Sequence, residues 1–142
     1  MKRFFHLTIL SLLTTATFAQ TDNIIGIWLT EDTESKVEIY KSNNVYYGKI
    51  IWLKEPNNPK TGKPWLDEQN SNKSKRKLGL IGSEMLWGFT YDDGKYIGGK
   101  VYDSRNGKTY SGKLWLVDKN TLKMRGYWGV FYSTETWTRV KQ

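Results

Sequence analysis

The stretch NIIGIWLT, residues 23–30, opens the part of the chain that carries strand patterning. It contains a glycine, one spacer and a tryptophan in order, Gly26, Ile27 and Trp28. Two interpretations fit this pattern. The first is a strand that carries one large aromatic residue, and the second is a tryptophan that fills the closed end of a barrel. The rest of the chain decides between them.

The first nineteen residues have the composition of a secretory signal peptide. A positive start, MKR, precedes the mostly apolar run FFHLTILSLLTTATF, and Thr17 and Ala19 suit the positions that signal peptidase reads. His6 and several threonines interrupt this run, which is shorter than the ~18 clean apolar residues of a membrane helix. We therefore predict cleavage after Ala19, one domain over residues 20–142, and a periplasmic or secreted protein that does not span a membrane.

Residues 20–142 contain no cysteine, and the one histidine of the chain, His6, lies in the predicted signal peptide. Thiolate chemistry, a Ser-His-Asp triad and the usual zinc sites are therefore excluded. Adjacent acids occur at 67–68 and 92–93, but neighbouring turn residues point apart, whereas glycosidases need two facing carboxyls. No calcium-loop spacing of acids occurs. We predict no catalytic residue, no metal and no cofactor.

The chain is basic, with a formal charge of +8. Lys2 and Arg3 fall in the predicted signal peptide, and the remainder is still positive. Such a charge favours encounter with anionic lipids, polysaccharides or acidic partners, although it also fits a solvated surface that keeps the protein soluble. Four basic residues cluster between residues 73 and 77 and fit either an anionic head group or a solvated loop. Nucleic acid is not an expected partner of an exported protein.

Short alternating runs separated by turn residues predict an all-β protein. The predicted strands cover residues 25–31, 35–41, 45–53, 84–91, 95–103, 108–117, 121–130 and 134–141. Asn106-Gly107 predicts a hairpin with a type I′ turn. Eight antiparallel strands in chain order can close into an up-and-down barrel, which removes the exposed sheet edges.

The strands also carry signals about which side chains face inward. One face of 121–130 predicts an inward row, namely Leu122, Met124, Gly126, Trp128 and Val130. Strand 108–117 has apolar residues on both faces, so its facing stays open. Glycines inside strands favour the bulges and strong coiling of a barrel, and those at 98, 112 and 126 would leave interior room.

The Gly26-Ile27-Trp28 opening, together with Arg139 on the last strand, resembles the lipocalin and fatty-acid-binding barrels. In those proteins a first-strand tryptophan packs across the barrel base and an arginine of the final strand lies against it. A guanidinium over an indole face contributes about 0.5–2 kcal/mol. The resemblance therefore implies that Gly26, Trp28 and Arg139 close one end of an eight-stranded barrel.

A closer resemblance covers nearly all of residues 20–142. The matching blocks, in order, are GIWLTED…VEIY…YYGKIIWLKEP, LDEQN…KRKLGLIG, GGKVYDSRNGKTYSGKL and LKMRGYWG…TETWTRV. They resemble DUF2147, a bacterial family of exported proteins defined as a domain of unknown function. The resemblance implies a lipocalin-like barrel and an exported protein, and it implies no chemistry.

Residues 54–83 form a long polar segment between the third and fourth predicted strands. A loop of this length in a compact domain usually covers a site or is mobile. Two interpretations stay open. In one, the segment is a lid with Trp65 against a ligand, and in the other it is a folded-back crossover whose Leu78, Leu80 and Ile81 cap the barrel.

Aromatic residues supply the candidate ligand contacts, because tyrosine and tryptophan combine a large apolar area with a polar group. The candidates are Tyr47, Trp65, Trp87, Phe89, Tyr96, Tyr102, Tyr110 and Trp128. The leading hypothesis is an exported, non-enzymatic protein that binds a small hydrophobic or amphipathic molecule inside the barrel. The alternative is an envelope module that docks a glycan, an anionic lipid or a protein partner through surface tryptophan and lysine.

Overall fold

Eight antiparallel strands form a closed barrel in the computed structural model, which describes residues 22–142. The strands are β1 (Gly26–Leu29), β2 (Ser35–Ser42), β3 (Val45–Leu53), β4 (Glu84–Asp92), β5 (Lys95–Asp103), β6 (Lys108–Asp118), β7 (Thr121–Trp128) and β8 (Phe131–Arg139). Each strand pairs with the next, and β8 returns to pair with β1. The predicted up-and-down barrel is confirmed. The predicted signal peptide lies outside the described residues.

Tight hairpins connect the strands at one end of the barrel, where short polar residues permit left-handed backbone. Asn43 and Asn44 join β2 to β3 with φ angles of 50° and 63°, and Asp93 and Gly94 join β4 to β5 with φ angles of 44° and 80°. Positive φ at both central residues is the property of the type I′ turn, whose twist matches that of the flanking strands.

The predicted type I′ turn at Asn106-Gly107 is wrong. Only Gly107 has a positive φ, of 71°, and the strands stop pairing at Asp103 and Lys108. The carbonyl of Asp103 accepts from the backbone N–H groups of Asn106 (3.3 Å) and Gly107 (2.8 Å). Its carboxylate accepts from the Arg105 N–H at 2.9 Å, which favours a four-residue loop over the tighter turn.

Strand β6 faces inward through Gly112 and Leu114, which are buried, while Val117 is exposed. On β7, Leu122 and Met124 are buried as the alternation predicts. The predicted inward position of Val130 is wrong. The strand ends at Trp128, and Val130 lies in the β7–β8 turn with 90% of its surface exposed.

Large side chains fill the half of the barrel next to the β2–β3 and β4–β5 hairpins. The largest fully buried ones are Trp28, Trp137, Tyr46, Tyr96 and Phe89. Phe89 occupies the space left by two glycines, because a Cβ atom at Gly99 or Gly112 would lie within 2.4 or 2.8 Å of its ring. This half is therefore a packed core with little interior room.

The segment between β3 and β4 folds back on itself at the opposite end. Isolated bridges pair Asn57 with Pro64 and Leu66 with Gly79, and residues Lys73–Lys75 form one turn of 3-10 helix. Backbone hydrogen bonds join Leu80 N–H to the Trp65 carbonyl (2.9 Å). Across residues 22–142, no helix has the length and apolar character needed to cross a membrane.

Candidate functional site

The two ends of the barrel differ, and the closed end is built around Trp28. Its side chain is fully buried, and its indole N–H donates to the Ile24 carbonyl at 2.9 Å. The guanidinium carbon of Arg139 lies 4.2 Å from the centre of the Trp28 ring. Burial lowers the pKa of Arg139 below its usual value, although the group stays charged at neutral pH.

Backbone carbonyls hold the Arg139 guanidinium in this place. Its Nε donates to Lys119 at 2.6 Å, its Nη1 donates to Ile25 at 2.9 Å, and its Nη2 donates to Asn23. Gly26 has a φ of 142°, and a Cβ atom there would lie 2.6 Å from Nη1 of Arg139. The glycine of the opening motif therefore provides the space in which the arginine crosses the barrel base.

The opposite end, here called the open end, contains a cavity of about 790 Å³. Its rim comes from the β1–β2 loop, segment 54–83, the β5–β6 loop and Trp128 at the end of β7. Its inner walls come from inward-facing strand residues, including Ile50, Val101 and Met124. The packed core below, formed around Phe89, separates this cavity from the closed end.

Four of the eight predicted ligand contacts line the cavity: Trp65, Tyr102, Tyr110 and Trp128. Tyr110 and Trp128 pack edge to face, with ring centroids 6.1 Å apart. Trp65 reaches the cavity from segment 54–83, where Leu66 and Leu80 join it.

The other four predicted contacts lie away from the cavity. Phe89 and Tyr96 belong to the packed core, and Tyr96 contacts Tyr46 edge to face at 4.9 Å. Tyr47 is on the outer wall, where its ring stacks on that of Tyr40 at 5.5 Å. Trp87 follows the buried Leu86 and pairs with the exposed Lys100, so it also faces outward. The period-two alternation of their strands could have shown from the sequence that Tyr47 and Trp87 face outward.

The three glycines predicted to leave interior room differ in the space that surrounds them. Gly98 is exposed with a φ of 74°, and the room beside Gly112 is taken by Phe89 and Val101. Gly126 lines the cavity, and the nearest atom to a Cβ built there is Tyr110 Cβ at 3.8 Å. Gly126 is therefore the position at which a missing side chain enlarges the cavity.

Segment 54–83 is fastened to the barrel by Asp67, a contact that the sequence does not reveal. Asp67 is 4% exposed, and its carboxylate accepts from the Tyr102 hydroxyl and from the Asn70 amide, both at 2.6 Å. Burial, and then the Asp67 carboxylate, raise the pKa of Tyr102 above its usual value. The acidic pair at 67–68 therefore includes an anchoring residue.

The observed contacts support each of the two interpretations of segment 54–83 in part. Trp65 lines the cavity, as the lid interpretation requires, and so does Leu80, as the cap interpretation requires. Leu78 and Ile81 are more than two-fifths exposed and do not cap the barrel. Motion of the segment stays a prediction.

The charge of the cavity lining is a second feature that the sequence does not reveal. Six carboxylate residues line it, from four separate parts of the chain, against one basic residue, Arg105. This balance is opposite in sign to that of the chain as a whole. Within residues 22–142, no three carboxylates come close enough together to hold a metal ion.

A structural comparison shows the same fold in a solved bacterial protein. The chain superimposes with a TM-score of 0.70 on a structure titled "Protein HP1028 from the human pathogen Helicobacter pylori belongs to the lipocalin family". The two sequences are 26% identical, and the match covers 82% of each chain. No curated protein matches the sequence.

A family model described as "Uncharacterized protein conserved in bacteria (DUF2147)" matches residues 26–139. The match starts at the glycine of the opening motif and ends at the arginine that lies over Trp28, so it spans all eight strands. The chain therefore belongs to the DUF2147 family, and its fold is a lipocalin-like barrel.

Proposed function

We propose that this protein is an exported, non-enzymatic binding protein that holds a small apolar or amphipathic molecule in the cavity at its open end. The observation that carries the proposal is the cavity itself. Its volume of about 790 Å³ lies within the ~300–1,000 Å³ typical of small-ligand pockets. The lipocalin membership of the structural neighbour favours binding over catalysis.

The lining explains how an amphipathic molecule would be oriented. Apolar residues such as Ile50, Val101 and Met124 stand deep in the walls, while charged residues such as Asp32 and Arg105 stand near the rim. Burying a ligand's alkyl chain against the walls contributes roughly 25 cal/mol per Å². The polar group would then lie against the charged residues of the lining.

A second function, docking to an envelope partner, is favoured by the β7–β8 hairpin. Val130 and Phe131 are 90% and 63% exposed at its tip, and Trp128 and Tyr132 beside them are about half exposed. Contiguous apolar residues of this kind on a surface commonly mark an interaction site. Docking does not need the cavity, so the experiment below separates the two functions.

The test replaces Gly126 with isoleucine. The backbone there is not left-handed and the nearest contact is 3.8 Å away, so the variant is expected to fold while its side chain occupies the cavity. Thr90→Leu is the matched control, because Thr90 is an exposed residue of β4 and the new apolar side chain would lie on the outer surface of the barrel.

Native mass spectrometry of the protein purified from a bacterial host, without denaturation, should show a co-purifying lipid-sized mass. We expect that mass with the wild type and with Thr90→Leu, and we expect it to be lost with Gly126→Ile. Tryptophan fluorescence titrated with long-chain hydrophobes should show affinity about tenfold weaker in Gly126→Ile. An apo mass together with no fluorescence change in the wild type would overturn the proposal and favour docking.

A further inference from the structure

We infer that the ligand of the open-end cavity is a cationic amphiphile, with an amine or quaternary ammonium group attached to an apolar chain. This inference rests on the proposed function and names the class of molecule that the same cavity takes. It comes from one carboxylate inside the barrel, from the aromatic rings near the rim, and from the charge of the remaining lining.

The carboxylate is that of Glu135, on β8. Its strand partner is Met124, which faces the interior, and residues paired across antiparallel strands share a face. Glu135 therefore points into the barrel, and it lines the cavity. Glu135 is partly buried there, and a partly buried charge gains more from an opposite charge than one fully in solvent.

The Glu135 carboxylate is held in one orientation by the packed core. The indole N–H of the fully buried Trp137 donates to its Oε2 at 2.8 Å. Within residues 22–142, its Oε1 accepts no hydrogen bond, and no lysine or arginine nitrogen lies within 4 Å of either oxygen. One oxygen is thus left for a cationic or hydrogen-bond-donating group in the cavity.

The positive charge near this carboxylate is that of Arg105, which interacts most strongly with Asp103 and also, through its charge, with Glu135 and Asp32. Arg105 donates from Nε and Nη2 to the two carboxylate oxygens of Asp103, at 2.9 and 3.0 Å. Glu34 at the rim pairs with Lys54 at 3.3 Å. Glu55 and Glu68 line the cavity without an ion pair to any described residue. The lining therefore keeps an excess of negative charge.

Aromatic rings near the rim supply a second mode of recognition for the same kind of group. Trp65, Tyr110 and Trp128 all line the cavity. Cations bind over aromatic faces, with indole giving the strongest attraction, and quaternary ammonium groups are recognised in this way. An anionic head group would instead be repelled by the carboxylates, and a neutral one would not compensate for their excess over Arg105.

The experiment compares three probes that share a dodecyl chain: dodecyltrimethylammonium, dodecanoate and dodecanol. Each is titrated into the full chain below its aggregation concentration, and binding is followed by tryptophan fluorescence and calorimetry. We expect dodecyltrimethylammonium to bind at least about tenfold more tightly than dodecanoate.

Glu135→Gln removes the charge and keeps an oxygen that can accept from Trp137, so the variant should fold. It should weaken dodecyltrimethylammonium binding by about tenfold and change dodecanol binding far less, because the amide oxygen can still accept from a hydroxyl. The control is Glu38→Gln, because Glu38 lies outside the cavity lining and pairs with Lys49 at 3.1 Å. It should leave all three affinities unchanged.

The outcomes separate this inference from the proposed function. Binding of dodecanol or dodecanoate as tightly as the cation would overturn the inference and leave the proposed function standing. Binding of none of the three probes would overturn both. Preference for the cation that survives Glu135→Gln would also overturn the inference, since the carboxylate would then have no part in recognition.

Discussion

The guanidinium of Arg139 lies over the indole of Trp28 with 4.2 Å between its carbon and the ring centre, and the two residues are also paired in strand register. The first and last strands are thus joined at the point where the barrel base is filled. No side chain of this pair lines the open-end cavity. Stability at the closed end and ligand contact at the open end therefore depend on different residues.

The first prediction concerns Trp28→Ala. Removing a fully buried indole leaves a cavity in the packed core and should lower the free energy of unfolding by about 3–5 kcal/mol. Trp52→Ala is the control, because Trp52 is 37% exposed on the barrel wall beneath the Lys36 ammonium. Urea unfolding of both variants measures the difference.

Ligand affinity in the folded fraction of Trp28→Ala should equal that of the wild type, because Trp28 does not line the cavity. An equal stability loss in Trp28→Ala and Trp52→Ala would contradict the role of the buried indole in closing the barrel.

The second prediction compares two glycines by the same substitution. Gly26→Ala should destabilise the protein by about 1–3 kcal/mol, because the backbone is left-handed and the new Cβ would lie 2.6 Å from Nη1 of Arg139. Gly126→Ala should be neutral or stabilising by up to about 1 kcal/mol, because ordinary backbone and a 3.8 Å contact accommodate the methyl group. In thermal unfolding, the midpoint temperature should therefore fall in Gly26→Ala, and in Gly126→Ala it should rise or change much less.

A comparable loss of stability in both glycine variants would show that glycine is needed at Gly126 for another reason. The isoleucine variant proposed for blocking the cavity would then be unsuitable, and the role of Gly126 in cavity size would need a different test.

The fold could be predicted from the sequence because its signals are local. Alternation and turn residues are set by a few neighbouring side chains, and all eight predicted strands are present, with ends that differ from the prediction by up to three residues. The errors arose at turns. Asn106 lacks the positive φ of a type I′ turn because hydrogen bonds to Asp103 favour a longer loop, and Val130 lies beyond the end of β7.

The site could be predicted only in part, because its members meet through barrel closure and through the folded-back segment. Trp65 and Trp128 come from segment 54–83 and the β7–β8 hairpin, yet line the same cavity. The burial of Asp67 depends on a contact with Tyr102, thirty-five residues away. Nothing in the residues around either one indicates that pairing.

The third prediction concerns pH and the Tyr102–Asp67 hydrogen bond. The pKa of Tyr102 is raised in the folded protein, first by burial and then by the carboxylate that accepts from its hydroxyl. A raised folded pKa gives stability that is complete below the unfolded value of about 10 and is lost as the pH rises towards the folded value. Urea unfolding should therefore show wild-type stability falling above about pH 10.

Other tyrosines also contribute to that fall, since burial and Glu84 raise the pKa of Tyr40 to about 12. The contribution of Tyr102 is isolated by Tyr102→Phe, which should cost about 1–3 kcal/mol near neutral pH because Asp67 loses a buried donor. The difference in the free energy of unfolding between wild type and Tyr102→Phe, here called the gap, should narrow above about pH 10. Only the wild type has this hydroxyl to titrate. A Tyr102→Phe gap that stays constant with pH would contradict a raised pKa of Tyr102 in the folded protein.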